Sequence, residues 1–98
     1  MERYGVYGLA DRDGSVVILQ YPGLEATNLV IVAPLVEAAS IPEIPILTPK
    51  VTFGDKTMLV LITRLAAIPL AALGKLQGSL AEYEYDFHRA HQRLFFGN

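Results

Sequence analysis

His88 and His91 stand three residues apart on one stretch, with Glu84 four residues before His88. That spacing can offer two imidazoles and a carboxylate to a divalent cation. A pair of histidines at i,i+3 needs a partner from elsewhere to close a site, and the chain has no further histidine and no cysteine. Capping or solvated histidines are therefore expected, with no metal and no other cofactor. Ser15, Ser40 and Ser79 lie outside any nucleophile elbow. Asp11 and Asp13 read as turn chemistry, and Glu82, Glu84 and Asp86 as helix-start electrostatics. Gly5 and Gly8 fall inside a predicted strand instead of between a strand and a helix, so no phosphate loop is formed. Lys50, Lys56, Arg64 and Lys75 are scattered without interleaved aromatics, and the net charge of −2 gives no attraction for nucleic acid. The residue types point away from an enzyme and towards a binding protein.

What remains is the aromatic end of the chain, and the element that positions it. Ser79 and Glu82 have the spacing of a capping box. Leu80, Tyr83, Phe87, Ala90 and Leu94 then recur at three- and four-residue intervals, which predicts an amphipathic helix over about 80–96. Acids come early and Arg89 and Arg93 late, in accord with the helix dipole, and Gly97 stands where a glycine stops a helix. At about 100° per residue, Phe96 falls nearly opposite the stripe. Phe95 lies at its edge, and Tyr85 and Gln92 lean towards Phe96. Two readings stay open: a frayed terminus with Phe96 folded back onto the body, or an aromatic held out on a helix tip for a partner.

Upstream, apolar runs over 3–10, 15–21 and 28–36 predict three strands, the first two a hairpin through Asp11-Arg12-Asp13-Gly14 and the third buried on both faces. Pro42, Pro45 and Pro49 exclude a helix interior or central strand over 40–49. Residues 50–53 and 56–63 flank Gly54-Asp55, a two-residue hairpin loop. The Ala-rich stretch 65–74, interrupted by Pro69, reads as one helical turn, and Gly74 and Gly78 as flanks of a linker into the helix. About five or six strands and a helix in 98 residues make one domain, residues 1–98. The fold class is mainly β with a C-terminal α-helix, a small antiparallel barrel or strongly bent sheet. With 52% hydrophobic residues, the chain carries more apolar material than a small monomer hides, which predicts a homodimer. The start has no apolar signal-peptide run, and the most apolar window, 58–73, is short and holds Arg64 and Pro69. A soluble cytoplasmic protein without membrane contact is expected.

Short matches spread along nearly the whole chain resemble the CcdB toxins, the gyrase-poisoning half of bacterial toxin–antitoxin pairs. They are Tyr4-Gly5-Val6-Tyr7, Val32-Ala33-Pro34-Leu35, Pro49-Lys50-Val51-Thr52-Phe53-Gly54-Asp55, Ala67-Ile68-Pro69-Leu70 with Gly74, and the ending Leu94-Phe95-Phe96-Gly97-Asn98. That ending is similar to the family's Met-Phe-Trp-Gly-Ile. The resemblance implies a homodimer of SH3-like barrels of CcdB/MazF type, each with a long C-terminal helix. It also implies that the helix ends enter the dimerisation domain of the A chain of DNA gyrase (GyrA) and trap the enzyme with its DNA cleaved. In the family the Trp of the ending stacks on a gyrase arginine, so the resemblance assigns target contact to Phe96, Gly97 and Asn98, with Phe95, Gln92 and Leu24 beside them. It further implies a cognate CcdA-like antitoxin, whose disordered C-terminal segment folds on the toxin.

Phe96 and Asn98 depart from the family's Trp and Ile. Tryptophan is the better cation–π platform, and Asn98 loses apolar burial of about 1–2 kcal/mol. Two alternatives accompany the gyrase poison: a CcdB-like protein with weak or no gyrase activity, and a same-fold endoribonuclease toxin using Thr63-Arg64.

Overall fold

The computed structural model describes residues 1–24 and 27–98. Val-, Ile- and Leu-rich runs form β1 (Gly5–Leu9), β2 (Ser15–Ile18), β3 (Leu29–Glu37), β4 (Lys50–Phe53) and β5 (Lys56–Val60). They are followed by β6 (Ala66–Pro69), β7 (Leu73–Ser79) and the helix α1 (Glu84–Phe96). All pairings among the described strands are antiparallel, in the order β4-β5-β3-β2-β1-β7, with β6 also on β3. In the β4–β5 hairpin Gly54 and Asp55 have φ of 58° and 64°, the two positive values a type I′ turn requires.

β3 is the spine. One edge pairs with β2 from Val32 to Leu35. The other edge is shared: β6 takes Leu29–Val32 and β5 takes Leu35–Glu37. Pro34 sits where the partner changes. A residue's N–H and C=O point to the same side of a strand, so the donor that proline lacks belongs in this gap between β6 and β5. Its carbonyl accepts the Leu61 N–H at 2.9 Å instead. A proline in a central strand is thus accommodated because no ladder bond is due there.

The sheet is apolar on both faces and curls into a half-barrel. One face, with Tyr4, Val6, Val17, Ala33, Leu35, Val51, Val60 and Ile62, packs under Phe87 and Ala90 of α1 and under Leu80, which precedes it. The other buries Val16, Ile18, Val30 and Val32 beneath Ile68, Leu70 and Leu73. The curl brings the ends of the sheet together: a β-carbon on Gly78 of β7 would lie 2.7 Å from the Phe53 ring of β4. Beside it the Thr52 N–H donates to the Tyr83 hydroxyl at 2.9 Å. Side chains close this seam, without a strand ladder.

Three expectations need correction. Residues 65–74, expected as one helical turn, hold only a single 3-10 turn (Leu70–Ala72), set between the strand β6 and the start of β7. The free edge of β3 recruits this Ala-rich segment, and Pro69 is tolerated because β6 is paired on one side only. Gly74 and Gly78 lie within β7 instead of bounding a linker, because pairing with β1 (Val6 opposite Gly78) overrides their breaker character. The helix begins at Glu84, not near 80, after a 3-10 turn over Ala81–Tyr83. The Ser79 hydroxyl accepts the Ala81 N–H at 3.2 Å, and the Leu80 N–H donates to the Tyr4 carbonyl at 2.9 Å. That last bond continues β7 alongside β1 and postpones the helix, so the expected capping box with Glu82 does not form.

Closure by contact predicts that Gly78→Ala forces its methyl into the Phe53 ring and destabilises the fold by about 1–3 kcal/mol. Phe87→Ala, which empties a fully buried site, should cost about 3–5 kcal/mol. Urea unfolding midpoints read both; an unchanged midpoint for Gly78→Ala would contradict the closure.

Candidate functional site

α1 is held at its N-terminal half. The Phe87 ring meets the Tyr4 ring at a centroid distance of 5.1 Å and an interplanar angle of 43°. Tyr4 is itself unusual: a bulky, buried residue with φ of 62°, in the left-handed region. Its N–H donates to the Ile18 carbonyl at 2.8 Å and its carbonyl accepts from Leu80, so both neighbouring strands fix it. The Arg3 guanidinium lies 4.7 Å from the Tyr4 ring centroid and 5.3 Å from that of Tyr21, with Nη1 3.7 Å from Glu84 of α1. Burial raises the Tyr4 hydroxyl pKa above its usual value, partly offset by Arg3.

Ala90 is the last fully buried residue of α1, and beyond the half-buried His91 the helix is exposed. Leu94 is 37% exposed, Phe95 61% and Phe96 75%. Leu94, expected in the buried stripe, is therefore corrected to the surface. The helix runs on for about 9 Å from Ala90 to Phe96, and its last turn is exposed. Phe96 is not folded back; of the two readings for the terminus, the structure shows the aromatic held out. Gly97, at φ 75°, ends the helix in the left-handed conformation, its N–H donating to the Arg93 carbonyl at 3.1 Å.

Gln92, Phe95, Phe96, Gly97 and Asn98 therefore share one exposed tip. Leu24, 65% exposed, stands on the β2–β3 connection; among the described residues no hydrogen bond or ring contact ties it to the tip. Sequence reasoning missed the groove beneath the tip, lined by Leu19, Gln20, Ile31, Leu65, His91 and Phe95, about 340 Å³ in volume. Its signal was the double-sided apolar character of β3, which supplies Ile31. The Gln20 carboxamide caps its floor, its Oε1 accepting the Ile31 N–H at 3.2 Å. His91 is half-buried there; burial first, then His88 and Arg3, lower its pKa below the usual 6.5.

Chemically the tip is an apolar, aromatic surface with an exposed cation, Arg93, beside it. Such surfaces mark protein contacts. His88 faces Glu84 at 4.0 Å, and the described residues hold no group of three potential metal ligands. Thr63 and Arg64 are exposed on a 3-10 turn after β5, far along the chain from the tip; Arg64 rims a separate groove with Arg12, Asp13 and Ser15. No described helix is long and apolar enough to cross a membrane.

The profile of one protein family, described as CcdB protein, matches residues 3–97. A search among curated proteins returned no match.

Because Phe96 contacts little of its own chain, Phe96→Ala should change stability by no more than about 0.5 kcal/mol. Gly97→Ala, which strains the left-handed cap, should cost about 1 kcal/mol locally. Faster amide exchange confined to the last turn of α1 would register that fraying, and global unfolding by Phe96→Ala would contradict the exposed tip.

Proposed function

The chain belongs to the CcdB family, and we propose that it is the toxin of a type II toxin–antitoxin pair that works by binding, without catalysis. Its target in this reading is the GyrA dimerisation domain of DNA gyrase, in the cytoplasm. Phe96 stacks on an arginine of the target, Gly97 and Asn98 complete the contact, and Phe95, Gln92 and Leu24 lie around it. The toxin then holds gyrase in its DNA-cleaved state, which blocks replication and transcription.

The observation that carries this reading is Phe96, 75% exposed at the end of a helix whose other half is clamped to the sheet. An isolated aromatic in water is unfavourable, and one on a stiff element loses little entropy on binding. Two such tips suit a two-fold target, so the working unit is a homodimer. The chain's apolar surplus and exposed residues outside the tip, such as Leu29, favour cover by a second copy. A CcdA-like antitoxin with a disordered C-terminal segment would neutralise the toxin by folding over it and blocking or removing it from gyrase.

Phe96 and Asn98 set the expected strength. Phe96→Ala should weaken capture of the GyrA dimerisation domain by about 30-fold or more, a loss of about 2 kcal/mol, and relieve growth arrest in a gyrase-sensitive host. Phe96→Trp should tighten it, tryptophan being the stronger platform for a guanidinium. Growth arrest that persists undiminished in Phe96→Ala would overturn the assignment of the contact.

A further inference from the structure

Arg3 stands between two rings that belong to different parts of the fold. Its guanidinium lies 4.7 Å from the Tyr4 ring centroid and 5.3 Å from that of Tyr21, both within cation–π range. Its Nη1 is 3.7 Å from the carboxylate of Glu84, the first residue of α1. Tyr4 is buried against Phe87 of the same helix, whereas Tyr21 is exposed on the β2–β3 connection. The ladder of β2 on β3 ends at Ile18, extended by the Leu19 N–H on the Ile31 carbonyl at 3.0 Å and by the Gln20 side chain. Past Gln20 the chain leaves the ladder, and there the Tyr21 ring meets Arg3. Pro22 follows with φ fixed by its ring, so a short, partly stiffened stretch separates that contact from Leu24.

We propose that Arg3 is a positioning residue for the target contact: by stacking on Tyr21 it fixes the segment carrying Leu24 to α1, so that Leu24 and the helix tip are presented in one arrangement. This rests on the target contact described above, to which Leu24 belongs, and names what aligns its two parts. Leu24 and Phe96 stand on separate elements, and both are referred to one cluster. Phe87 seats α1 on Tyr4, Tyr4 lies beside Arg3, and Arg3 holds Glu84 and Tyr21 together. A guanidinium suits this place, because its plane can lie against an aromatic ring while its edge donates to a carboxylate; an ammonium has neither plane nor fork. An arrangement fixed before binding spares the ordering cost that a loose segment would meet on capture.

Two measurements on the full chain test this: backbone NMR order parameters of the free protein, and capture of the GyrA dimerisation domain. The variants are Tyr21→Leu, Tyr21→Phe, Arg3→Lys, and Arg3→Lys combined with Tyr21→Leu. Tyr21→Leu should lower the order parameters of Gly23 and Leu24 from the rigid range of about 0.85 towards about 0.6. It should also weaken capture by about fivefold. Tyr21→Phe keeps the ring and should keep both properties. Arg3→Lys should behave like Tyr21→Leu, and the double variant should be weaker than either single one by no more than about twofold. A Tyr21 that touched the target directly would instead add its full loss in the double variant. Tyr21→Leu and Tyr21→Phe, both at an exposed position, decide the matter should Arg3→Lys fold poorly. Unchanged order parameters in Tyr21→Leu, capture lost equally in Tyr21→Phe, or fully additive losses would overturn the role of Arg3 and leave the target reading intact. A wild-type chain that does not capture the domain would overturn the target reading, and the role of Arg3 with it.

Discussion

Tyr4 occupies a backbone conformation that a bulky side chain rarely adopts, and most of the architecture converges on keeping it there. A left-handed tyrosine costs on the order of 1–3 kcal/mol. Two backbone hydrogen bonds, to Ile18 and from Leu80, offset that cost, and so does burial of the ring against Phe87. The conformation turns the chain at the mouth of β1, so that the Tyr4 ring reaches the underside of α1 while its carbonyl holds the residue after β7. One residue thereby sets both the start of the sheet and the place where the helix crosses it. With Phe87 and Ala90 seated, the last turn of α1 carries Leu94, Phe95 and Phe96 at the surface.

The exposed helix end, which the proposed function uses, follows from that geometry. A helix of 13 residues is about 20 Å long, and only its first part is clamped. Its rigidity passes to the tip, so Phe96 is presented at a defined angle although little of its own ring is packed. Beneath Phe95, Leu19, Ile31 and Leu65 line an open hollow, with His91 among them. Phe95 belongs to both, as part of the tip and as one wall of the groove.

Much of this could be read in the residues. The stripe through Leu80, Phe87 and Ala90, the Gly54-Asp55 hairpin, the outward Phe96 and the closing Gly97 all rest on local periodicity or on φ preferences, which a sequence carries openly. The failures lie where partners distant in sequence decided the matter. Ala66–Pro69 has poor strand propensity and becomes β6 because β3 offers an edge. Gly74 and Gly78 look like breakers and are strand residues, the second one required for its contact with Phe53. Leu94 has the right spacing for the core, but no periodicity reveals that it stays at the surface. Nor does the sequence flag Tyr4, whose conformation comes from three elements meeting at once.

The central claim is that the exposed end of α1 traps gyrase on cleaved DNA. It is tested most directly by incubating the purified protein with reconstituted gyrase (GyrA and GyrB) of its own host, supercoiled plasmid and ATP. Linear DNA released by detergent and protease is then measured, for the wild-type protein and for a chain truncated after Phe95. Accumulation of linear DNA with the full chain, lost on truncation while the fold is retained, is the predicted result. Absence of linear DNA at saturating protein, or equal cleavage by the truncated chain, would contradict it.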